Sequence, residues 1–424
     1  MKSRRPTTKV RIEDLEDLYP YCAGIDVHKA GVTVCLIAGG AEGEVAEYGT
    51  NTSELRRLGE WLTEKEVTHV VMESTGVYWK PVWQILESGR FRLLLANARQ
   101  VRNMPGRKTD QNDAVWLALL LRKGLIRASF VPAAEVRALR DLCRSRASLI
   151  HDRTRIVQRV EKVLEEANLK LDTVVSDLMG ASARRMLDEL GRGQTDPVAL
   201  ADLALGRLRS KIPELILALE GSFRPHQLFV LRELLSQHGE LSTRIERFEQ
   251  EMDRDAPPFE PAVERLIAIP GLDRRSALAV LAETGQDMSV FPSPQQFARW
   301  ARVCPGNQES AGKRQSGRTG KGNSWLRAVL VQCAWAATHT KDSYFAAQFK
   351  RLRPRGNKKA AMAVAHSMLK IIWYLLYHQT HYRDLGADYF AKQNLEGQTR
   401  SYVNRLKKLG YRVTLTPLAA GAAA

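Results

Sequence analysis

The run Ala23-Gly24-Ile25-Asp26-Val27-His28-Lys29 places one carboxylate inside a stretch that otherwise reads as a buried strand. Among apolar neighbours such a charge is costly unless it faces a cation or water. The run belongs to the first of three short β-rich segments, Tyr21 to His28, Val32 to Ile37 and Glu44 to Tyr48, parted by Lys29-Ala30-Gly31 and the Gly39-Gly40 cluster. That spacing predicts a three-stranded meander. Beyond it the periodicity predicts a helix over about 53–65, with Leu55, Leu58, Trp61 and Leu62 on one face, and then an apolar strand from Thr68 to Met72. A helix near Val77 to Leu86, a buried run from Phe91 to Ala96, a basic loop and a helix starting near Thr109 complete the series. Hairpin strands followed by strands alternating with helices is the order of an RNase H-like α/β domain.

The remaining chain reads as helical. From Ala134 to Met252 the pattern is punctuated by Gly180, Gly191, Gly193, Pro197, Pro213 and Pro225, as a spacer or scaffold would be. Within it Leu241, Ile245, Phe248 and Met252 recur at steps of four and three, a coiled-coil seam or an ordinary core face. Ala256-Pro257-Pro258 reads as a hinge. The expected division is therefore an RNase H-like domain over 18–133, a helical or coiled-coil middle over 134–258, a mostly helical C-terminal domain over 259–392 and a tail over 393–424.

Composition limits the partners. The 424 residues carry a net charge of +17, which favours a polyanion, with nucleic acid first, over a neutral small substrate. Cys22, Cys35, Cys143, Cys304 and Cys333 contain no CxxC pair, which argues against a disulfide framework and a structural zinc site. Nothing near the N-terminus reads as a secretion signal, so a cytoplasmic location is expected. The most apolar stretch, Ala361 to Tyr377, contains His366 and Lys370 and reads as a buried helix, not a membrane span.

Three further acids accompany Asp26. Glu73 ends the fourth expected strand, in Val70-Val71-Met72-Glu73-Ser74-Thr75-Gly76. Asp110 and Asp113 lie one turn apart at a helix start, in Lys108-Thr109-Asp110-Gln111-Asn112-Asp113-Ala114, so both can project from one face. If the first and fourth strands are neighbours, four oxygen donors converge, a set that suits Mg2+ or a similar divalent ion. Taken singly, each has a plainer reading: Asp110 as an N-cap, Asp113 as a first-turn acid, Glu73 as a loop charge and Asp26 as a turn or bulge residue.

These blocks, Gly24 to Lys29, Glu73 to Tyr78 and Lys108 to Ala114, resemble the D, E, D and D motifs of IS110-type insertion-sequence transposases. Where members of that family have Asn-Pro after the fifth strand, this chain has Asn97-Ala98. The segment from Ile269-Pro270-Gly271-Leu272 through Arg327 is similar to the family's second conserved domain, in which a serine is the nucleophile on DNA. By position that serine is Ser310, after Glu309. The family shows Ser-Gly where this chain has Ser310-Ala311-Gly312, which leaves Ser316, in Ser316-Gly317, as the other candidate. A serine hydroxyl needs a base or a metal to take its proton, and apart from Glu309 no histidine or acid stands near. That fits activation by ions held at the acidic motifs.

The resemblance implies a RuvC-like N-terminal domain, divalent metal bound by Asp26, Glu73, Asp110 and Asp113, DNA cleavage and rejoining, a structured guide RNA and a homo-oligomer. A RuvC-like nuclease using water as nucleophile, and a non-catalytic nucleic-acid scaffold, are the other readings. From Arg299 to Arg327 seven basic residues face the single acid Glu309. Lys313, Arg314, Arg318, Lys321 and Arg327, in a glycine-rich loop, are expected to contact phosphates. Arg137, Arg140, Arg144, Arg153, Arg155 and Arg159 mark a second basic surface, of which Arg137, Arg140 and Arg144 are expected to contact nucleic-acid phosphates. The Ile269-Pro270-Gly271-Leu272 turn resembles a helix-hairpin-helix motif, with Asp273 where a second glycine is typical.

Overall fold

A computed structural model describes residues 15–40, 42–74, 76–104, 112–306, 308–310, 313–316, 319–320, 322–392 and 395–416. The chain divides into two compact units, Met1–Val131 and Pro132–Ala424. The expected middle and C-terminal regions, 134–258 and 259–392, both fall within the second unit.

The first unit is built on a mixed sheet of five strands: β1 (Tyr21–Val27), β2 (Gly31–Ala38), β3 (Gly43–Gly49), β4 (His69–Glu73) and β5 (Arg92–Ala96), in the order β3-β2-β1-β4-β5. Short turns make β1, β2 and β3 antiparallel. The crossovers through helices α1 (Thr52–Glu64) and α2 (Trp79–Leu86) make β1, β4 and β5 parallel, as a crossover connection requires. Strand alternation sorts the two faces. Ala23, Ile25, Val70 and Met72 share a core with Leu55, Leu58 and Leu62 of α1 and with Val82 and Leu86 of α2. Each such leucine, fully buried, contributes about 1.5–3 kcal/mol. On the other face Cys22, Cys35, Val71 and Ala96 pack beneath α4 (Asp113–Arg122), which follows the short α3 (Ala98–Arg102).

Gly24 belongs to that second face, and the helix approaches it closely. A Cβ there would stand 2.4 Å from both the Ala114 carbonyl oxygen and the Ala118 nitrogen, so only glycine admits α4 at this depth. The expected helix start near Thr109 is displaced. Asn112 caps α4, its side chain accepting from the Ala114 N–H at 2.9 Å, and the helix begins at Asp113. An Asx cap so placed satisfies an amide that otherwise has no partner.

In the second unit α5 (Ala134–Glu166) pairs with α10 (Pro225–Asp255). They are antiparallel, since Arg146 binds Glu249 while Arg153, further along α5, binds Ser242, further back along α10. Leu241, Ile245 and Met252 are buried along α10, with Phe248 half-buried between them. Four shorter helices, α6 (Leu171–Val174), α7 (Ala181–Gly191), α8 (Pro197–Ala201) and α9 (Ile212–Leu219), lie between the pair in sequence. They add Met186, Leu187, Leu190 and Leu215 to a core shared with Val160 and Leu231.

The chain then continues through α11 (Glu260–Ile267), α12 (Arg274–Thr284) and α13 (Pro294–Ala301). A two-stranded hairpin follows, β6 (Gln308–Ser310) with β7 (Lys313–Ser316), and then α14 (Ser324–Ala337), α15 (Tyr344–Leu352) and α16 (Asn357–His378). The short α17 (Tyr389–Lys392) and α18 (Leu395–Lys408) are the last helices among the described residues. α16 is long and apolar enough by composition to cross a membrane, yet Val364, Ala365, Met368, Leu369 and Ile372 are buried, and it packs against α11, α13, α14 and α15. Gly271, at φ +86°, lies against the backbone of α14, where a Cβ would stand 2.3 Å from the Cys333 carbonyl oxygen. That glycine is thus committed to helix packing, and Asp273 to capping α12 in a reciprocal box with Ser276. All five cysteines are free thiols, four of them buried.

Candidate active site

Two of the four expected acids, Asp26 and Glu73, belong to one end of one sheet face, and a third, Asp113, opens the helix that covers that face. The last parallel register pair between β1 and β4 is Ile25 with Met72, so Asp26 and Glu73 come next along two adjacent strands. By alternation Asp26 follows Cys22 and Gly24, and Glu73 follows Val71, onto the face that α4 covers. The direction of α4 is set by its contacts. Leu18 and Tyr19, just before β1, donate to the Arg122 carbonyl at 2.8 and 3.0 Å, whereas Gly24 meets Ala114 and Ala118. The helix therefore runs antiparallel to β1, which brings its first residue, Asp113, to the carboxyl ends of the parallel strands. Those ends, beside a helix N-terminus, are where open α/β sheets assemble sites.

Asp26 is mostly buried, with its side chain 19% exposed, and its Oδ2 lies 3.1 Å from the Nε2 of the more exposed His28. Sequence reasoning gave His28 no role, although its place two residues after Asp26 at a strand end was a usable signal. Glu73 and Asp113 are half-buried, and both have partners of their own. Asp110 lies outside the described residues. Among the described residues no three His, Cys, Asp or Glu side chains are grouped closely enough to hold a metal ion. The chemistry of the donors fits a hard divalent cation, since Asp26, Glu73 and Asp113 offer only carboxylate oxygens, but those three do not by themselves form a closed ligand set.

In the second unit the candidate serine sits on the β6–β7 hairpin. Ser310 pairs in register with Lys313 at the turn, Glu309 with Arg314, and Ser316 ends β7. Ser310, Lys313, Arg314 and Ser316 are described through their backbone, and Arg318 and Lys321 lie outside the described residues. Arg327 is on α14, and its guanidinium donates to the Gly320 carbonyl at 3.5 Å.

The start of α14, which follows this hairpin in the chain, is held by a residue that sequence reasoning passed over. Glu283, near the end of α12, has a side chain only 3% exposed. Its carboxylate accepts a bidentate pair from Arg144 of α5, Nε to Oε1 at 2.7 Å and a terminal nitrogen to Oε2 at 2.8 Å. Arg140 adds an ion pair at 3.6 Å while donating to the carbonyls of Ala282 and Glu283 at 2.8 and 3.0 Å. Asn323 donates to Glu283 at 2.5 Å and accepts from the N–H groups of Trp325 and Leu326, capping α14. One buried carboxylate thus ties α5, α12 and the start of α14 together. Burial lowers the Arg140 pKa, and the Glu283 carboxylate opposes that. Arg140 and Arg144, expected to contact phosphates, spend their guanidinium groups on Glu283, and Arg137 donates to the Pro132 carbonyl at 2.9 Å. A signal existed in sequence: arginines four apart on a helix call for a counter-charge.

Residues 23–169 match the DEDD transposase family of IS110, and residues 263–371 match the transposase IS116/IS110/IS902 family. The chain belongs to the IS110-type transposases. Relatives agree. The chain is 26% identical over 324 residues to a probable family 20 transposase of Pseudomonas aeruginosa, covering 74% of this chain and 85% of that protein. It is 27% identical over 285 residues to the transposase for insertion sequence element IS1111A of Coxiella burnetii, 65% of this chain and 68% of that one. A shorter match, 32% identical over 154 residues, is to the transposase for insertion sequence element IS1533 of Leptospira borgpetersenii, 35% of this chain and 44% of that protein. In this transposase the first match contains all four acidic candidates, and the second contains Glu283, the hairpin and most of α16.

Proposed function

We propose that the first unit is an RNase H-like, RuvC-like domain in which Asp26, Glu73, Asp110 and Asp113 hold divalent metal, Mg2+ by donor chemistry, and that Ser310 is the nucleophile for cleaving and rejoining DNA strands. The observation that carries this reading is the placement of Asp26 and Glu73 at the ends of adjacent parallel strands, on the face where α4 brings its first residue, Asp113. Family membership supports DNA as the partner, and the net charge of +17 suits a polyanion. A structured guide RNA, a homo-oligomer and a cytoplasmic location complete the proposal. DNA ends must be held together to be exchanged, which favours more than one subunit.

In the reaction the Ser310 hydroxyl gives up its proton as Oγ attacks a backbone phosphorus. The Oγ–P bond forms as the bond to the leaving strand oxygen breaks, and that oxygen takes up a proton. Because one phosphodiester replaces another, rejoining is the same exchange in reverse, with a strand hydroxyl as the attacking group. Bound divalent ions would supply charge neutralisation at the phosphate and favour the ionised oxygen.

DNA recovered with the purified protein supplies the substrate for the test. Incubated with Mg2+, the native protein should form a covalent protein–DNA adduct and joined strands. Ser310→Ala should remove both, as should Asp26→Asn or chelation. Adducts persisting in Ser310→Ala but absent in Ser316→Ala would move the nucleophile to Ser316. Cleavage persisting in both would replace this reading with a nuclease that uses water.

A further inference from the structure

A cleft of about 940 Å³ opens beside the hairpin in the second unit. One wall is Val303, Pro305 and Thr319, residues that lead into and out of the β6–β7 hairpin. The other comes from the start of α16 and the turn before it, with Arg355, Lys358, Lys359 and His366. Between Asp342 and Asp384 the sequence contains no acid at all.

Three observations bear on what the cleft binds. Arg355, Lys358 and Lys359 are exposed, and none has an ion-pair or hydrogen-bond partner through its side chain among the described residues. Arg351, one turn earlier, is different, since its guanidinium stacks on Phe390 at 4.4 Å. The helix begins without a side-chain cap. Gly356 stands at the cap position, and the first intrahelical bond, Ala360 N–H to the Gly356 carbonyl, leaves the three preceding amides open. Deeper in the wall, the Nδ1 atom of His366 is buried without a hydrogen-bond partner. Uncapped amides aligned with the dipole of a 22-residue helix, with three free cations around them, match phosphate oxygens in charge and in donor direction.

We propose that this cleft binds the phosphodiester backbone of a DNA strand and delivers that strand to the hairpin. The cleft wall and the hairpin are contiguous in chain, so a strand held by Arg355, Lys358 and Lys359 lies next to the segment carrying Ser310. The inference rests on the proposed strand-joining role only for its choice of DNA. Its test reads binding alone, so it stands or falls apart from the identity of the nucleophile.

The triple variant Arg355→Gln, Lys358→Gln, Lys359→Gln of the full chain should keep its helical circular dichroism, because all three side chains are exposed. The probes are a labelled 30-base-pair DNA duplex of mixed sequence and a 30-nucleotide RNA, titrated by fluorescence anisotropy from about 50 to 200 mM salt. A control variant, Arg185→Gln, Arg207→Gln, Arg247→Gln, removes the same charge from exposed positions on or beside the middle helices. The cleft variant should bind the duplex about tenfold or more weakly at the low-salt end, with its salt slope reduced by roughly 2–3. The control should change neither as much. A loss no greater than the control's, or a loss on RNA with none on DNA, overturns the proposal.

Discussion

Replacing Glu283 by alanine tests whether the buried carboxylate anchors the second unit. The change strips two guanidinium groups and the Asn323 amide of their shared partner. Removing one member of a buried charge pair costs about 3–5 kcal/mol, because the survivor is left desolvated and unpaired. Here the lower end applies. The Arg144 side chain is 36% exposed and can turn to water, and Arg140 keeps its bonds to the Ala282 and Glu283 carbonyls. At about 3 kcal/mol, and with an unfolding entropy of about 0.6 kcal/mol/K for a unit of roughly 300 residues, Tm should fall by about 5 °C. Thermal unfolding followed at 222 nm reports it, since the second unit holds most of the helices. Glu249→Ala is the control. That carboxylate pairs with Arg146 where both side chains are about a quarter exposed, so its loss should cost about 1 kcal/mol or less, under 2 °C. Equal shifts for the two variants would show that Glu283 is an ordinary ion pair and would refute the anchoring argument.

Two other expectations follow from the first unit. Gly24→Ala puts a methyl group 2.4 Å from two backbone atoms of α4, so the helix must move, and urea unfolding should show a loss of about 2–3 kcal/mol. A loss under about 0.5 kcal/mol would mean that α4 does not sit as described. Asp17 is held below its ordinary value of 3.8 by hydrogen bonds from Arg122 and then Lys123 at the end of α4. A carboxylate with a depressed folded-state pKa stabilises above its unfolded value, and that contribution is lost as pH falls through the folded one. Asp17→Asn should therefore lower the urea midpoint near neutral pH and converge with the native protein as pH falls below 3.8 and through the folded-state value. A gap that stays constant to pH 2 would show that the ion pairs are not its source.

Much of the first unit was legible in the sequence because its signals are local. Alternation in Tyr21 to His28, the turn residues after Lys29 and Gly39, and the leucine spacing in 53–65 each report on a few neighbouring residues. The observed strands and α1 lie within a few residues of those expectations. The start of α4 was misread because Thr109 and Asp110 are acceptable caps by composition. Asn112 is the cap in the structure, with Ala114 and Ala118 pressed on Gly24 just beyond it. In the second unit the Pro257-Pro258 pair looked like a domain hinge. The structure makes Pro257–Phe259 a single helical turn, after which Arg274 and Arg275 reach back to Asp253.

The arginines of α5 mark where local reading stops. Their spacing was visible, but whether they face phosphate or protein depends on Glu283, 139 residues away from Arg144. No periodicity encodes a partner at that distance. The basic run at the start of α16 shows the converse, since its charges line a cleft only where the hairpin ends fold beside them.

From its sequence alone this chain declared a β-meander leading into alternating strands and helices, a helical remainder, a basic surface and four acids in family order. Those properties follow from hydrophobic period, turn chemistry and charge, all set within a few residues. Tertiary structure alone decided that Asp26 and Glu73 end adjacent parallel strands, that two arginines close on a buried glutamate and that three cations without a side-chain partner among the described residues line a cleft. Burial and pairing depend on which distant segments meet, and that is settled only when the cores close.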